Sequence, residues 1–182
     1  MRRIEWQKIG AGLIIISGVL LACSGCSQKE NYPAQDHRYV TRDNLEPDKL
    51  ASIWLIQRFV DQQATFQFVA DEVPLTNGIP FDTPEADYRR YATLSCFESI
   101  LEKHHLGNNA NLRRLGDLIH DLEINYWAEK RFPESLTLNH EIQTVVDRNH
   151  AQPDVCARQV LPIFDQWLTN SGNAPVTNVQ PP

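Results

Sequence analysis

The chain has 182 residues, of which 42% are hydrophobic and 9% aromatic, and its formal net charge is −6 at pH 7. A chain of this length and hydrophobic content can bury one sizeable core, so we expect one folded domain. An acidic chain without a basic cluster argues against nucleic acid as a partner.

The N-terminal residues have the pattern of a secretory signal. The short basic region MRRIEWQK precedes the apolar run IGAGLIIISGVLL, and a small residue and a cysteine follow. The apolar run has thirteen residues, whereas a transmembrane helix needs about 20. We therefore assign residues 1–22 to a signal peptide. Its removal would take away three basic residues and one acidic residue, so the formal charge would change from −6 to −8.

The end of this segment, Leu20-Leu21-Ala22-Cys23, resembles the bacterial lipobox, in which cleavage precedes a cysteine that carries the lipid. Ordinary cleavage nearby is the alternative. Ser24 follows the cysteine, and the rule for Gram-negative lipoproteins then favours the outer membrane, facing the periplasm. We therefore expect Cys23 to be lipidated, residues 23–36 to form a tether, and the membrane to be a partner through the lipid anchor.

Two segments have the alternation and aromatic content of strands, HRYVT at 37–41 and TFQFVA at 65–70. The turn Asn77-Gly78 then precedes a further extended segment. Between the two strands, Pro47 and Asp48 suit the first turn of a helix, and the sequence LASIWLIQRFV is apolar on nearly every side. We expect this helix to be central.

Four further helices are predicted from apolar residues spaced by three and four. Thr93 or Ser95 can cap the first, and Asn109 or Asn111 can cap the second. The last begins at Pro153. The apolar residues expected inside the third and fourth of these helices are Leu138, Ile142, Val145, Val160, Phe164 and Trp167.

The predicted fold class is therefore α+β and predominantly helical, with about five helices and a few short strands near the N-terminal half. The domain is expected at 37–170, and residues 171–182 are predicted to be a disordered tail. Export would place Cys96 and Cys156 in an oxidising compartment, where two unassigned cysteines more often form a disulfide. Two buried thiols are the alternative.

The stretch RLGDLIHDLE, residues 114–123, concentrates acids around one histidine. At about 100° per residue, His120 lies about 140° from the centre of the apolar stripe, so it is not a core histidine. Asp117 and Glu123 flank it at spacings where side chains meet, while Asp121 points elsewhere. Periodicity alone favours a solvated charged face.

The stretch RYVTRDNLEPDKLASIWLIQRFVDQQATFQFV, residues 38–69, resembles the C-terminal domain of the chromate-resistance ChrB family. That family typically has a strand ending in Val-Thr-Arg, a helix containing Trp-Leu-Ile-x-Arg-Phe, and an aromatic strand. The similarity continues from Phe81-Asp82 through Phe97-Glu98, and again over LIHDLE, where the family has a His-Asp step. It covers roughly residues 38–168.

The resemblance implies recurring polar positions at Asp48, Glu98, His120 and Asp121. Together with Glu123, these residue types could ligate a hard or borderline metal, so a divalent metal of unspecified identity is the expected cofactor. The alternative interpretation of Asp48 is an acid that complements a helix dipole, and that of Glu98 is a residue on a solvated helix face beside Glu102.

Two departures from the family pattern bear on this site. Arg90 stands where the family commonly has histidine, and Ser95 stands where it commonly has cysteine, with the cysteine displaced to Cys96. Arginine stays protonated and is not a metal ligand. Guanidinium groups present paired donors to tetrahedral anions, so an oxyanion-binding site could instead be formed by Arg58, Arg89 and Arg90. The alternative is that these arginines form ordinary salt bridges.

The signal peptide and the resemblance together lead to the first hypothesis, an exported lipoprotein of the chromate-resistance type that binds or senses a metal ion or an oxyanion in a polar interhelical pocket. A structural or partner-binding envelope lipoprotein with a decayed pocket is the second hypothesis, with its protein partner unspecified. A metal-dependent enzyme that uses His120 as acid or base is the third.

Overall fold

The computed structural model describes residues 37–149 and 152–171, and these form three strands and six α-helices. The α+β, predominantly helical class is confirmed. The predicted signal peptide, Cys23, the tether and the tail from residue 172 lie outside the described residues. The strands are β1 (Arg38–Arg42), β2 (Thr65–Val69) and β3 (Ile79–Pro80). The helices are α1 (Pro47–Leu55), α2 (Cys96–Lys103), α3 (Ala110–Glu123), α4 (Glu134–Arg148), α5 (Pro153–Gln159) and α6 (Leu161–Ser171).

The three strands form a parallel sheet in the order β2-β1-β3, with Tyr39 opposite both Phe66 and Ile79. Residues 39–41 of the central strand are buried, as expected where a parallel strand is covered on both faces. The crossover from β1 to β2 contains α1, since parallel strands cannot be joined by a tight turn.

Helix α1 is the centre of the domain, as predicted, and each of its residues is buried. It contacts α2, α3, α5 and α6. The ring of Trp54 stacks on Phe97 of α2, with centroids 6.4 Å apart, and packs against Phe164 of α6 at 5.7 Å. The indole N–H donates to the Asp165 carboxylate at 2.8 Å, which satisfies its one polar atom.

Two helices differ from the prediction. The apolar run of α1 was expected to stay α-helical to Val60, but Ile56–Val60 form a π-helical turn, closed by the Asp61 N–H donating to the Ile56 carbonyl at 2.8 Å. The helix predicted from Pro153 is two helices, α5 and α6. Pro162 explains the break, because proline has no N–H to donate to the preceding turn.

The cap predictions are resolved in favour of Ser95 and Asn109. The Ser95 hydroxyl accepts from the Glu98 N–H at 3.1 Å, and the Glu98 carboxylate accepts from the Ser95 N–H at 2.8 Å, which makes a capping box. The Asn109 side chain accepts from the first turn of α3. No helix in residues 37–149 and 152–171 has the length and apolar character needed to cross a membrane.

Candidate functional site

The start of α2 is held by a carboxylate from α1. Asp48 is fully buried, and its carboxylate accepts the N–H of Cys96 at 2.7 Å and the N–H of Phe97 at 2.9 Å. These N–H groups have no partner inside their own helix, so the carboxylate complements the positive end of α2. Burial raises the pKa of Asp48, while the two N–H donors and Arg90 oppose that shift.

Arg90 lies among three carboxylates, and we call Glu46, Asp48, Arg90 and Glu123 the arginine cluster. The Arg90 guanidinium donates to Glu46 and to Glu123, both at 3.0 Å, and to Asp48 at 3.4 Å. Glu123 also accepts the backbone N–H of Asp48 at 3.4 Å. Burial raises the pKa of Glu123, and Arg90 opposes the shift. The cluster therefore ties the start of α1 to the end of α3.

A buried ion pair adjoins this cluster. The Lys49 ammonium is 1% exposed, donates to the carbonyl oxygens of Arg42 at 3.1 Å and Asn44 at 2.8 Å, and lies 3.6 Å from the Asp82 carboxylate. Burial lowers the pKa of Lys49, and Asp82 opposes that shift. Burial raises the pKa of Asp82 to about 7, with a further contribution from Asp48. This carboxyl group therefore titrates close to neutral pH.

His120 and Glu98 form a contact between α3 and α2. The His120 Nδ1 lies 3.0 and 3.1 Å from the two Glu98 carboxylate oxygens, and the imidazole side chain is 28% exposed. Among residues 37–149 and 152–171, no group hydrogen-bonds the other ring nitrogen, Nε2. Because Glu98 also accepts the Ser95 N–H, the capping box fixes the carboxylate that faces the imidazole.

Glu98 also lines an open cavity of about 520 Å³ between α2 and α3. Asp117, one turn before His120, lines the same cavity, and burial raises the pKa of its carboxyl group while Arg114 opposes the shift. The other polar residues of the lining are Glu102, His105, Asn108 and Arg113. His120 does not line this cavity, but its partner Glu98 does, and the 28% exposed imidazole lies outside the apolar core.

Comparison with known proteins identifies the family. A family model described as the C-terminal domain of ChrB matches residues 39–170. The chain belongs to the ChrB family. A curated relative, Protein ChrB of Cupriavidus metallidurans, is 34% identical over 92 residues, which is 50% of this chain and 28% of the relative. The aligned part is thus less than a third of that relative. No solved structure matches the chain.

The ChrB domain separates the five predicted metal ligands into three groups. Asp48 and Glu123 belong to the arginine cluster, Glu98 pairs with His120, and Asp121 faces elsewhere. In the described part of the chain, no three His, Cys, Asp or Glu side chains are arranged to hold a metal ion. The structure therefore does not bring the five predicted ligands together at one point.

Asp121 anchors the segment that follows α3. Its side chain is buried and accepts the N–H groups of Arg131 at 3.0 Å and Phe132 at 2.9 Å, and the Asn125 amide at 2.8 Å. Burial acts to raise the pKa of Asp121, but these donors outweigh it and the pKa is lowered. The second acid of the His-Asp step therefore holds backbone in place and does not face the imidazole.

The three arginines predicted to seat an oxyanion have separate partners. Arg58 lies in the π-helical turn after α1, ten residues beyond Asp48, and pairs with Asp165 at 2.7 Å. Arg89 donates to the Pro84 carbonyl at 3.0 Å, and Arg90 lies in the arginine cluster. Arg89 and Arg90 do line one open cavity of about 350 Å³, but two acids, Glu46 and Asp82, line it too.

The expected disulfide is not formed, because Cys96 and Cys156 are free, buried thiols. Cys96 begins α2 beside Asp48, and burial raises its pKa. The Cys156 thiol in α5 faces the Asn149 carbonyl oxygen, 3.7 Å away. The two cysteines therefore have different neighbours, and the alternative of two buried thiols is the one the structure has.

No pattern in the sequence indicated roles for Glu46, Lys49 or Asp82. Glu46 is an ordinary acid at a helix start, and nothing indicated that Lys49, in the first turn of α1, would be buried against an acid distant in sequence. Asp82 belongs to the Phe81-Asp82 step that resembles the ChrB family, but the resemblance did not indicate that its carboxyl group would be buried. Aspartate adopts a positive φ more often than most residues, but its presence alone does not predict the φ of 50° at Asp82.

Proposed function

We propose that this ChrB domain binds a metal cation through His120, with Glu98 orienting the imidazole. The supporting observation is that Glu98 contacts Nδ1 while Nε2 has no hydrogen bond among the described residues. In protein metal sites, a carboxylate that accepts from one ring nitrogen fixes the tautomer and leaves the other nitrogen free to ligate. Glu98 would thus position the ligand, and His120 would supply the electron pair.

The charge around the junction favours a cation over an oxyanion. Glu46, Asp48 and Glu123 surround the single guanidinium of Arg90, and Glu98 adds a fourth carboxylate nearby. An added dianion would meet this surplus of negative charge, whereas a cation would reduce it. Imidazole nitrogen and carboxylate oxygen suit borderline and hard cations.

The family relationship connects this proposal to chromate resistance. We propose a role in chromate resistance for this chain, as an envelope protein that binds or senses a metal ion. Reduction of chromate yields Cr³⁺, a hard cation that prefers oxygen ligands, so the imidazole nitrogen of His120 fits a borderline cation such as Zn²⁺ better than Cr³⁺. Arg90 replaces the histidine that the family commonly has at this position. The replacement removes a potential metal ligand and adds a permanent positive charge.

The binding proposal predicts that Zn²⁺ stabilises the mature domain and that His120→Ala abolishes the effect. At a free Zn²⁺ concentration 100 times Kd, the free energy of unfolding should rise by about 2.7 kcal/mol, and Tm by roughly 5–10 °C. Glu98→Gln should weaken binding by about 10–100-fold, since it loosens the orientation of the ligand. Thermal unfolding with and without Zn²⁺ or Cr³⁺ measures both effects.

His140→Ala is the matched control, because His140 is exposed on α4 and should leave the Zn²⁺ effect unchanged. Chromate is the second control and should not shift Tm. A chromate shift that Arg90→Ala removes would replace the cation proposal with an oxyanion site. Equal Zn²⁺ shifts in wild type and His120→Ala would favour the scaffold hypothesis.

We also propose that Cys23 carries a lipid that anchors the mature protein to the periplasmic face of the outer membrane. The lipobox-like sequence before Cys23 and Ser24 after it support this assignment. Cys23→Ser should abolish incorporation of labelled palmitate and shift the protein out of the lipidated outer-membrane fraction. Cys26→Ser is the control and should leave labelling unchanged; labelling that survives Cys23→Ser would contradict the anchor.

A further inference from the structure

The segment after α3 presents two aromatic side chains to solvent, and we call Tyr126 and Trp127 the aromatic tip. The Trp127 side chain is 93% exposed and that of Tyr126 is 62% exposed. Their rings meet edge to face, with centroids 4.7 Å apart. We propose that the aromatic tip inserts into the lipid–water interface of the membrane to which the chain is anchored.

The tip is held in place by a polar network beneath it. The Lys130 ammonium donates to the carbonyl oxygens of Asp121 at 2.7 Å, Asn125 at 3.0 Å and Tyr126 at 3.4 Å. The buried Asp121 carboxylate accepts the N–H of Arg131 from the far side of the segment. Because the Lys130 ammonium and the buried Asp121 carboxylate hold the backbone on both sides of the tip, the fold itself keeps the two aromatic side chains exposed.

The chemistry of the tip matches a bilayer interface. Trp and Tyr combine an apolar ring with a polar atom and concentrate at the level of the lipid headgroups. Lys130 and Arg131 follow the tip, against one acid, Glu129. The Lys130 ammonium is held by carbonyl oxygens beneath the tip and Glu129 is acidic, so the exposed Arg131 is the cation available to an anionic lipid headgroup at this place.

A bilayer is available to the tip if Cys23 is lipidated, so this inference rests on the anchor proposed above. The 13 residues 24–36, fully extended, span at most about 45 Å. A domain of this size has a radius of gyration of about 14 Å. An anchor at Cys23 would hold the domain within about 45 Å of the bilayer and so raise the effective concentration of lipid at its surface.

The test uses the chain from residue 24 without lipid, so that failure of the anchor and failure of the tip are separate results. The described core cluster extends from Tyr39 to Phe164 and is contained in this chain. Vesicles of phosphatidylethanolamine and phosphatidylglycerol with brominated acyl chains should quench tryptophan fluorescence. Quenching should persist in Trp167→Phe and disappear in Trp127→Phe, and Trp127→Ser should partition into vesicles about tenfold more weakly.

Pure phosphatidylcholine vesicles should bind the chain less than the anionic vesicles, and Arg131→Gln should reduce this difference. Circular dichroism of each variant checks the fold, which a substitution at a 93% exposed side chain should leave intact. Absence of quenching at millimolar lipid, or quenching that survives Trp127→Phe, would overturn the proposal. The first of these results would assign the tip to a protein partner instead.

Discussion

Asp48→Ala is expected to lower the free energy of unfolding by about 3–5 kcal/mol, the range found when one partner of a buried charged network is removed. The substitution leaves the N–H groups of Cys96 and Phe97 buried without their acceptor, and Arg90 loses one of three carboxylates. Urea unfolding followed by tryptophan fluorescence measures the change.

Two other substitutions separate burial from charge. Asp48→Asn keeps an oxygen that can accept one of the two N–H groups, so its cost should be about 1–2 kcal/mol. Glu46 is the more exposed partner of Arg90, with 44% of its side chain exposed. Glu46→Ala should therefore lower the free energy of unfolding by less than about 1 kcal/mol. Equal effects of Asp48→Ala and Glu46→Ala would show that Asp48 does not hold α2 to α1.

Asp82 should make the free energy of unfolding depend on pH between about 4 and 7. Its pKa is about 7 in the folded protein against 3.8 for the ordinary side chain. In this interval the folded state holds a proton that the unfolded state has released, so stability falls as pH rises. The stabilisation is fully present below pH 3.8 and is lost as pH passes 7, a change of about 4 kcal/mol.

Comparison with Asp82→Asn isolates this group from the other acids. The stability of wild type relative to Asp82→Asn should fall by about 4 kcal/mol between pH 4 and pH 8, as measured by urea unfolding at a series of pH values. Asp87→Asn, at a side chain that is 85% exposed, is the control substitution for removing one carboxylate. Parallel curves for wild type and Asp82→Asn would place the titration elsewhere.

Most helices of this domain follow from local sequence signals. Pro47, Ser95 and Asn109 mark helix starts by chemistry that acts within one turn, and the structure uses all three. The break between α5 and α6 also has a local signal, because Pro162 lies where the two helices meet. The sequence was nevertheless predicted as one helix, because the apolar spacing continues across this proline. The π-helical turn after α1 had no sequence signal of its own.

The site depends on contacts between distant segments, and the sequence predicts these less well. The spacing of His120 excluded a core position, and the resemblance to the ChrB family singled out Glu98, but neither gives a distance between α2 and α3. The role of Arg90 required the carboxylates of Glu46 and Glu123 to be located in space. Asp82 required knowledge of its burial, because burial is what raises its pKa.

Nitrogen NMR of the histidine side chains during Zn²⁺ titration tests the cation proposal most directly. The sequence has six histidines, and each side-chain resonance can be assigned by substitution. We expect Zn²⁺ to displace the Nε2 resonance of His120 while Nδ1 keeps its proton toward Glu98, and the exposed His140 to be unchanged. A His120 spectrum that saturating Zn²⁺ leaves unaffected would exclude binding at this imidazole.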